Sequence, residues 1–299
     1  MLRDEWERRR EEKRREEKRR EEKRREEKER KKREKSRDKD KEKEREIYAE
    51  VRAVPPLVVR ADGRGFKRVL GDSGKFAKPY DERFARGMAK AAEMFFKKSG
   101  FDPVLAYTFS DEISFFFEQV PFRGRVEKLD SVVAGFLASA LTIVLGFEEP
   151  VAFDARVIPV CACGGEREEG GAVLEYLTQR QAEAWRNHLN AYAYYGLVRS
   201  KGLGGEEAEK RLRGMKAGEI HEMLFRDCGI NLNETPKWQR RGILVVKQRY
   251  EKDYKIVQHW NLPLFGKVFS KKFSFLKKSF SGPEGIRTLD RPVSHKKIG

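Results

Sequence analysis

Two acidic motifs, far apart in the chain, could together hold a pair of metal ions. Asp62 ends the apolar run LVVRAD, whereas Asp111 and Glu112 lie between the runs VLAYTF and ISFFFEQ. Carboxylates at the ends of adjacent strands can hold two Mg²⁺ ions about 3.5–4 Å apart, the geometry used for in-line phosphoryl and nucleotidyl transfer. Magnesium completes its coordination with phosphate and water oxygens. We therefore predict that Asp62, Asp111 and Glu112 converge in a catalytic magnesium site.

The segment after Asp62, GRGFK, could bind phosphate, although it fits neither the Walker nor the dinucleotide-binding fingerprint. The small Gly63 lets the backbone approach a metal or a phosphate, and the amides of residues 64–67 can face a triphosphate. Arg64, Lys67 and Lys78 would neutralise phosphate charge. A DG pair or an SDE tripeptide alone is more often simply a turn. The two motifs at neighbouring strand ends together favour the catalytic interpretation.

The elements that position these acids follow the order β-α-β-β-α-β. The first strand ends at Asp62, and Asp81 is the expected N-cap of a helix that Gly100 stops. Two further strands form a hairpin with the acids at its tip. The predicted ranges are strand 57–62, helix 81–99, strands 104–109 and 113–119, helix 129–145 and strand 151–160. This order predicts a ferredoxin-like βαββαβ core of the α+β class, with the first strand beside the hairpin.

The chain is strongly basic, and its N-terminal segment consists almost entirely of charged residues. A net charge of +17 over 299 residues favours an anionic partner, most often a nucleic acid, although a merely soluble basic surface is the alternative. Residues 1–46 repeat RREEK, with pairs such as Glu11 and Arg15 four residues apart, and they cannot bury a core. We predict a solvated charged helix or a disordered arm there, preceding a catalytic core at residues 47–165.

The second half of the chain is rich in helix formers. Residues 166–250 should form a helical, RNA-binding region that ends with a strand at 243–249, and residues 251–299 should form a basic, mobile tail. Trp185, close to Arg180, Arg186 and His188 in the sequence, could stack on nucleic-acid bases. Aromatic residues at helical spacing also commonly belong to a core.

Cysteine usage and hydropathy bear on the compartment. Cys161, Cys163 and Cys228 contain no CxxC pair and cannot build a disulfide framework. We find no apolar run of about 18 residues and no signal-peptide pattern. The expectation is a cytoplasmic protein without membrane contact.

Six motifs resemble, in order, those of the tRNA(His) guanylyltransferase family. They are RADGRGF, FAKPYDERF, AYTFSDEISFFF, FDARV, YLTQRQAEAWRNHLN and GINLNETPKWQRRG, and they lie between Pro56 and Arg249. The resemblance implies a palm-like polymerase domain, related in fold to nucleotide cyclases, that adds nucleotides in the 3'-5' direction at the 5' end of a tRNA. It also implies a homotetramer or homodimer.

The resemblance implies roles for individual residues as well. Two Mg²⁺ ions would be bound by Asp62, the Gly63 carbonyl and Asp111. The nucleotide, GTP or ATP, would be contacted by Asp62, Gly63, Arg64, Gly65, Phe66, Lys67, Lys78, Ser110 and Asp111. The tRNA would be contacted by Arg180, Trp185, Arg186, Asn187, His188, Lys237 and Arg240.

One departure from the family pattern bears on the choice of tRNA. Eukaryotic members carry His-Ile-Asn-Asn where this chain has Trp185 to His188, and Lys-Asn where it has Ile220 and His221. These changes resemble the archaeal and bacterial branch, whose members repair 5'-truncated tRNAs by copying the opposite strand. The alternatives to guanylate addition on tRNA(His) are therefore template-dependent 5'-end repair, a non-catalytic tRNA-binding protein and, from the fold alone, a nucleotide cyclase.

Overall fold

The computed structural model describes residues 18–36, 47–71, 76–160, 171–250 and 253–266, which form two compact units, Met1–Val51 and Arg52–Gly299. In the first unit, residues 18–36 are helical (α1) and all exposed. Ion pairs between residues four positions apart lie along this helix, such as the pair of Lys31 and Glu27 at 2.7 Å. Pairs of this spacing stabilise an isolated helix by about 0.2–0.5 kcal/mol each. The helical alternative therefore holds for this range, and the rest of residues 1–46 lies outside the described residues.

The second unit is built on one antiparallel sheet of six strands, in the order β4-β1-β3-β2-β5-β6. All five neighbouring pairs are antiparallel. The strands are β1 (Leu57–Arg64), β2 (Leu105–Phe109), β3 (Glu112–Phe117), β4 (Ala152–Pro159), β5 (Ile243–Tyr250) and β6 (Asp253–His259). The first four strands have the predicted ferredoxin-like order, with β1 between β4 and β3.

Helices cover both faces of this sheet. They are α2 (Phe66–Gly71), α3 (Glu82–Lys98), α4 (Val126–Leu145), α5 (Gly171–Lys201), α6 (Gly205–Leu212), α7 (Ala217–Cys228) and α8 (Lys237–Arg241). One core cluster joins α3 and α4 to side chains such as Val59 and Phe115, and a second joins the first turns of α5 to Val58 and Phe116. Because successive side chains of a strand point to opposite faces, β1 and β3 contribute to both clusters. The predicted α+β fold is confirmed.

Helix α3 illustrates how local sequence sets these elements. Asp81 has extended backbone angles, and its carboxylate accepts a hydrogen bond from the Arg83 amide at 2.7 Å, which is the predicted N-cap. The apolar residues at intervals of three and four, including Met88 and Phe95, are buried. Gly100 follows the helix with a φ of 78°, a conformation that glycine adopts readily.

Helix α4 is apolar and long enough, by length and composition alone, to cross a membrane, so the expectation that the chain contains no such run was wrong. Its inner side, which includes Leu129, Val133 and Leu137, is fully buried against the sheet. Phe136 contacts Phe95 of α3 with ring centroids 5.2 Å apart. The core helix of a soluble protein passes the same test of length and hydropathy.

Strand β6 lies in the segment that we assigned to the C-terminal tail. It pairs with β5 over its whole length. Beyond it, Leu262 and Phe265 are buried, and Trp260 contacts Trp238 of α8 at 6.0 Å between ring centroids. The sheet therefore extends past Tyr250, and the mobility expected for the later tail concerns residues outside the described ones.

Candidate active site

Asp62 and Asp111 meet at one end of the sheet, as predicted. Asp62, near the end of β1, is paired in register with Glu112 on β3 and Asp154 on β4. Asp111 lies in the two-residue turn between β2 and β3, and its carbonyl accepts a hydrogen bond from the Gly63 amide at 3.1 Å. This bond links the β1 end to the turn, so the two acidic motifs form one structural unit.

Gly63 is required here because there is no room for a side chain. A Cβ at this position would lie 2.4 Å from a ring carbon of Phe66 and 2.9 Å from the Asp111 Cβ. Gly65 follows with a φ of 70°. The Phe66 side chain is 3% exposed and packs between Phe84 and Phe153. Of the predicted nucleotide contacts, Phe66 could therefore act only through its backbone.

The surroundings of Asp111 suit a cation. Burial raises the pKa of Asp111, the negative charge of Asp62 raises it further, and a hydrogen bond of 2.9 Å from the Ser110 hydroxyl opposes both effects. A bound cation would lower this pKa, since it favours the ionised carboxylate. Ser110 has a φ of 49°, an uncommon conformation for a residue other than glycine, so the turn holds this hydroxyl beside the carboxylate.

The donor set fits magnesium with few protein ligands. Among the described residues, no group of three or more histidine, cysteine, aspartate or glutamate side chains could hold a metal ion. Asp62, Asp111 and the Gly63 carbonyl offer hard oxygen atoms, and Mg²⁺ typically takes one or two carboxylates with substrate phosphates and water. The site is therefore suited to a metal that arrives with a triphosphate.

Glu112 has a different environment from the two aspartates. Arg180 of α5 binds both of its carboxylate oxygens, at 2.9 and 2.6 Å, and Arg60 lies 3.9 Å from one of them. Burial raises the pKa of Glu112, and the two arginines partly offset that rise. The sequence placed Glu112 at the hairpin tip, but it is the first residue of β3 and lies beneath α5. Its carboxylate is therefore neutralised by arginine, whereas those of Asp62 and Asp111 are not paired with a cation in the described part of the chain.

Two residues predicted to contact tRNA are not available to it. The Arg180 side chain is 17% exposed and bound to Glu112. His188 is fully buried, and its ring stacks on Trp185, with centroids 5.5 Å apart, and donates to or accepts from the Thr235 hydroxyl at 3.0 Å. Burial lowers the pKa of His188 to about 4, and the nearby charges of Arg240 and His221 contribute to a smaller extent. For these two residues the core interpretation replaces the RNA-contact interpretation.

The other predicted tRNA contacts reach the surface. Arg186, Asn187 and Lys237 are exposed, and Trp185 and Arg240 are half-buried. Trp185 and Arg240 line an open cavity of about 970 Å³ between α5 and α8. The Arg240 Nε is buried without a hydrogen-bond partner in the described part of the chain. These five residues remain predicted RNA contacts.

A second cavity adjoins the acids. It encloses about 610 Å³, partly open to solvent, and its lining includes Lys78, Tyr80, Met88, Thr108, Ser110 and Gln239. Burial lowers the pKa of Lys78, and Asp81 partly opposes that change. Arg199 of α5 donates to the Lys78 carbonyl at 2.7 Å. Thr108 and Gln239 were missed from the sequence because nothing in their local pattern shows that they face a cavity.

Comparisons with known proteins identify the family. Residues 39–161 match the family model described as tRNAHis guanylyltransferase, and residues 171–279 match the Thg1 C terminal domain. The tRNA(His) guanylyltransferase of Saccharomyces cerevisiae is 31% identical over 203 residues, which is 64% of this chain and 82% of the yeast protein. The probable tRNA(His) guanylyltransferase of Mus musculus is 33% identical over 204 residues. That match spans 65% of the mouse protein, just under two thirds of its length.

Solved structures show the same fold. The crystal structure of the yeast enzyme aligns with a TM-score of 0.56 and 27% identity over 74% of this chain and 96% of that one. A bacterial tRNA(His) guanylyltransferase-like protein in complex with ATP aligns with a TM-score of 0.61 and 22% identity, over 82% of this chain and 98% of that one. The second likeness concerns the fold alone.

Proposed function

Because the chain belongs to the tRNA(His) guanylyltransferase family, we propose that it adds guanylate to the 5' end of tRNA(His) in the 3'-5' direction. The observation that carries the proposal is the pair Asp62 and Asp111, joined through the hydrogen bond from Gly63 and adjacent to the cavity that Lys78 and Ser110 line. In this reaction the 5'-phosphate of the tRNA first attacks the α-phosphate of ATP or GTP, which releases pyrophosphate and leaves the 5' end capped by AMP or GMP. The 3'-hydroxyl of an incoming GTP then attacks the capped 5'-phosphate and displaces that AMP or GMP. The added residue carries a 5'-triphosphate, from which pyrophosphate is removed afterwards.

Each part of the chain has a task in that sequence. Two Mg²⁺ ions at Asp62, Asp111 and the Gly63 carbonyl would supply charge stabilisation for the transferred phosphoryl group. Ser110 orients the Asp111 carboxylate through its hydrogen bond. Arg64 and Lys67, both exposed, and Lys78 in the cavity wall neutralise the triphosphate.

The remaining partner is the tRNA itself. The exposed and half-buried residues of α5 and α8, among them Trp185 and Arg240, would bind it. We further propose a cytoplasmic homodimer or homotetramer, as the family resemblance implies.

A second candidate is repair of 5'-truncated tRNAs by copying the opposite strand. The sequence Trp185 to His188, in place of His-Ile-Asn-Asn, favours it. Since His188 is buried, the substitution alters the packing beneath the surface as well as the surface itself.

One experiment tests both candidates. The full chain is incubated with Mg²⁺, labelled GTP and either full-length tRNA(His) or another tRNA that lacks its first nucleotide. Extension of tRNA(His) supports the first candidate, and extension of the truncated tRNA alone supports repair. Asp111→Asn, checked for folding by circular dichroism, should reduce incorporation on either substrate by at least about a hundredfold, since it removes a metal ligand. A folded Asp111→Asn variant with full activity would contradict the metal site.

A further inference from the structure

We propose that the cavity beside Ser110 (the base cavity) selects a 6-oxopurine such as guanine over adenine, and that Gln239 is the residue that reads the base. The proposal rests on the proposed function, because the nucleotide whose phosphates lie at Asp62 and Asp111 must place its base in this cavity. Tyr192 of α5 is assigned the role of a positioning residue for Gln239.

The base cavity is connected directly to the acids. Ser110 lines it and donates a hydrogen bond to the Asp111 carboxylate, and Lys78 lines it as a phosphate-neutralising group. Most of its wall is apolar or aromatic, including Phe84 and Trp238. In such a site the few polar groups decide which base is accepted.

Gln239 is held in one orientation by its neighbour on α5. The Tyr192 hydroxyl donates to the Gln239 Oε1 at 2.7 Å. Its side chain makes no other hydrogen bond within the described part of the chain, so the amide Nε2 remains as a donor toward a ligand. With the Oε1 turned toward Tyr192, the unused end of the carboxamide is the Nε2 amine, which is a donor.

Thr108 independently indicates that a polar ligand belongs in the base cavity. This residue of β2 lines the cavity, is 1% exposed, and its Oγ1 has no hydrogen-bond partner among the described residues. Most buried polar side chains do have one, because an unpaired hydroxyl costs free energy. A hydroxyl can donate or accept, so Thr108 can bind any purine and does not choose between bases.

Among the other polar residues of the cavity, Asp81 is already bound by the Ala77 amide and by Arg83, and Lys78 is assigned to the phosphates. The Tyr80 hydroxyl, like that of Thr108, can donate or accept, so we assign the choice of base to the Gln239 amide. Guanine and hypoxanthine carry an accepting oxygen at position 6, whereas adenine carries a donating amine there. A donor opposite the oxygen makes a hydrogen bond. If adenine binds instead, the Gln239 amide and the adenine 6-amine are two donors that face each other without an acceptor. Unpaired donors in a largely apolar site cost free energy, so adenine binds more weakly.

Equilibrium binding of GTP, ITP and ATP to the full chain, with Mg²⁺ and without tRNA, tests the proposal. ITP shares the 6-oxo group with GTP but lacks the 2-amine, so GTP and ITP should bind alike, each roughly tenfold more tightly than ATP. Q239M, which keeps the length of the side chain without its donor, should bring all three to similar affinities. Q239E, which presents an acceptor, should favour ATP.

Two control variants distinguish recognition of the base from a general effect on the shape of the cavity. Y192F frees the Gln239 carboxamide to rotate, so it should reduce the preference for GTP and ITP over ATP without abolishing triphosphate binding. T108V should weaken the binding of all three nucleotides about equally. Equal affinity of the wild-type chain for GTP, ITP and ATP, or an unchanged preference in Q239M, overturns the inference while leaving the proposed function intact. Absence of any triphosphate binding overturns both. Discrimination without extension of either tRNA overturns the proposed function alone.

Discussion

At the scale of single residues, the contact between Gly63, Phe66 and Asp111 is the tightest point of the candidate site. Gly63→Ala would place a methyl group against the Phe66 ring and the Asp111 Cβ. Overpacking of this kind costs about 1–3 kcal/mol, and the displacement of Asp111 should lower GTP incorporation strongly.

Gly135→Ala is the matched control, because no atom lies within 4 Å of the added Cβ and the position is in the middle of α4. It should stabilise the fold by about 0.5–1 kcal/mol in urea unfolding. Similar stability changes in the two variants would contradict the steric account.

Asp130 provides a test of electrostatics away from the site. Burial raises its pKa from 3.8 to about 6, with Arg156 opposing the shift, and its Oδ1 has no partner among the described residues. Because the folded state binds this proton more tightly than the unfolded state, stability should fall as the pH rises from about 4 to about 6 and change little above that. The carboxyl is only half-buried, so solvent screening reduces the expected effect to about 1 kcal/mol.

The comparison of Asp130→Asn with the wild-type chain isolates this group. The variant should match the wild type near pH 4 and exceed its free energy of unfolding by about 1 kcal/mol at pH 7. His188 changes stability in the opposite direction, since its lowered pKa destabilises the fold as the pH falls through 6.5, but that contribution cancels in the difference. Urea unfolding of both proteins at a series of pH values measures this difference in the free energy of unfolding. A difference that does not change with pH would exclude Asp130 as the source.

The acid pair could be predicted from residue types alone, but the position of Glu112 could not. Asp62 and Asp111 follow apolar runs that could only be strands, so their meeting point depends on topology. Glu112 is bound by a residue 68 positions further along the chain, and the sequence contains no local trace of that contact. His188 is a similar case, because Tyr80 and Thr235, which contact its ring, are far from it in the sequence.

At the scale of elements, the Glu112–Arg180 pair holds α5 onto the sheet. Arg180→Met would leave the Glu112 carboxylate buried with Arg60 as the remaining cation near it, and breaking a buried pair costs about 3–5 kcal/mol. The double variant Glu112→Gln with Arg180→Met should recover part of this loss, because no unpaired charge remains. A double-mutant cycle in urea measures the coupling.

Arg186→Met is the control on the same helix. Arg186 pairs with Glu183 at an exposed position, so its removal should cost less than about 1 kcal/mol. Simple additivity in the Glu112–Arg180 cycle would show that the pair does not act as a unit.

The periodic elements of the sheet and its two helices could be predicted, and so could the late strand β5, whereas β6 and α2 could not. Strand β6 has seven residues in a basic stretch, and its place in the sheet depends on pairing with β5. Helix α2 has six residues and begins at Phe66, which looked like part of a phosphate loop. In both cases tertiary contacts, and not local periodicity, determine the structure.

At the scale of the whole molecule, the charged arm carries part of the positive charge, and its described part, residues 18–36, lies outside the core. By count, residues 1–46 hold 24 basic and 18 acidic side chains, so their removal lowers the net charge from +17 to +11. The described part of the arm, residues 18–36, is exposed throughout. Deletion should therefore leave the catalytic rate at saturating tRNA unchanged and weaken tRNA affinity, with a smaller dependence of affinity on salt.

A charge variant of the full chain distinguishes the contribution of charge from that of the helix. Replacing Lys31, Lys32 and Arg33 by glutamine removes three positive charges and keeps good helix formers at these exposed positions. If the arm acts by charge, the loss of tRNA-binding free energy in this variant should be about half of the loss that the deletion produces. Its tRNA affinity should also depend less on salt than that of the intact chain. Measurement of tRNA affinity at several salt concentrations gives both slopes. Loss of extension at saturating tRNA after the deletion would instead assign the arm a role in catalysis.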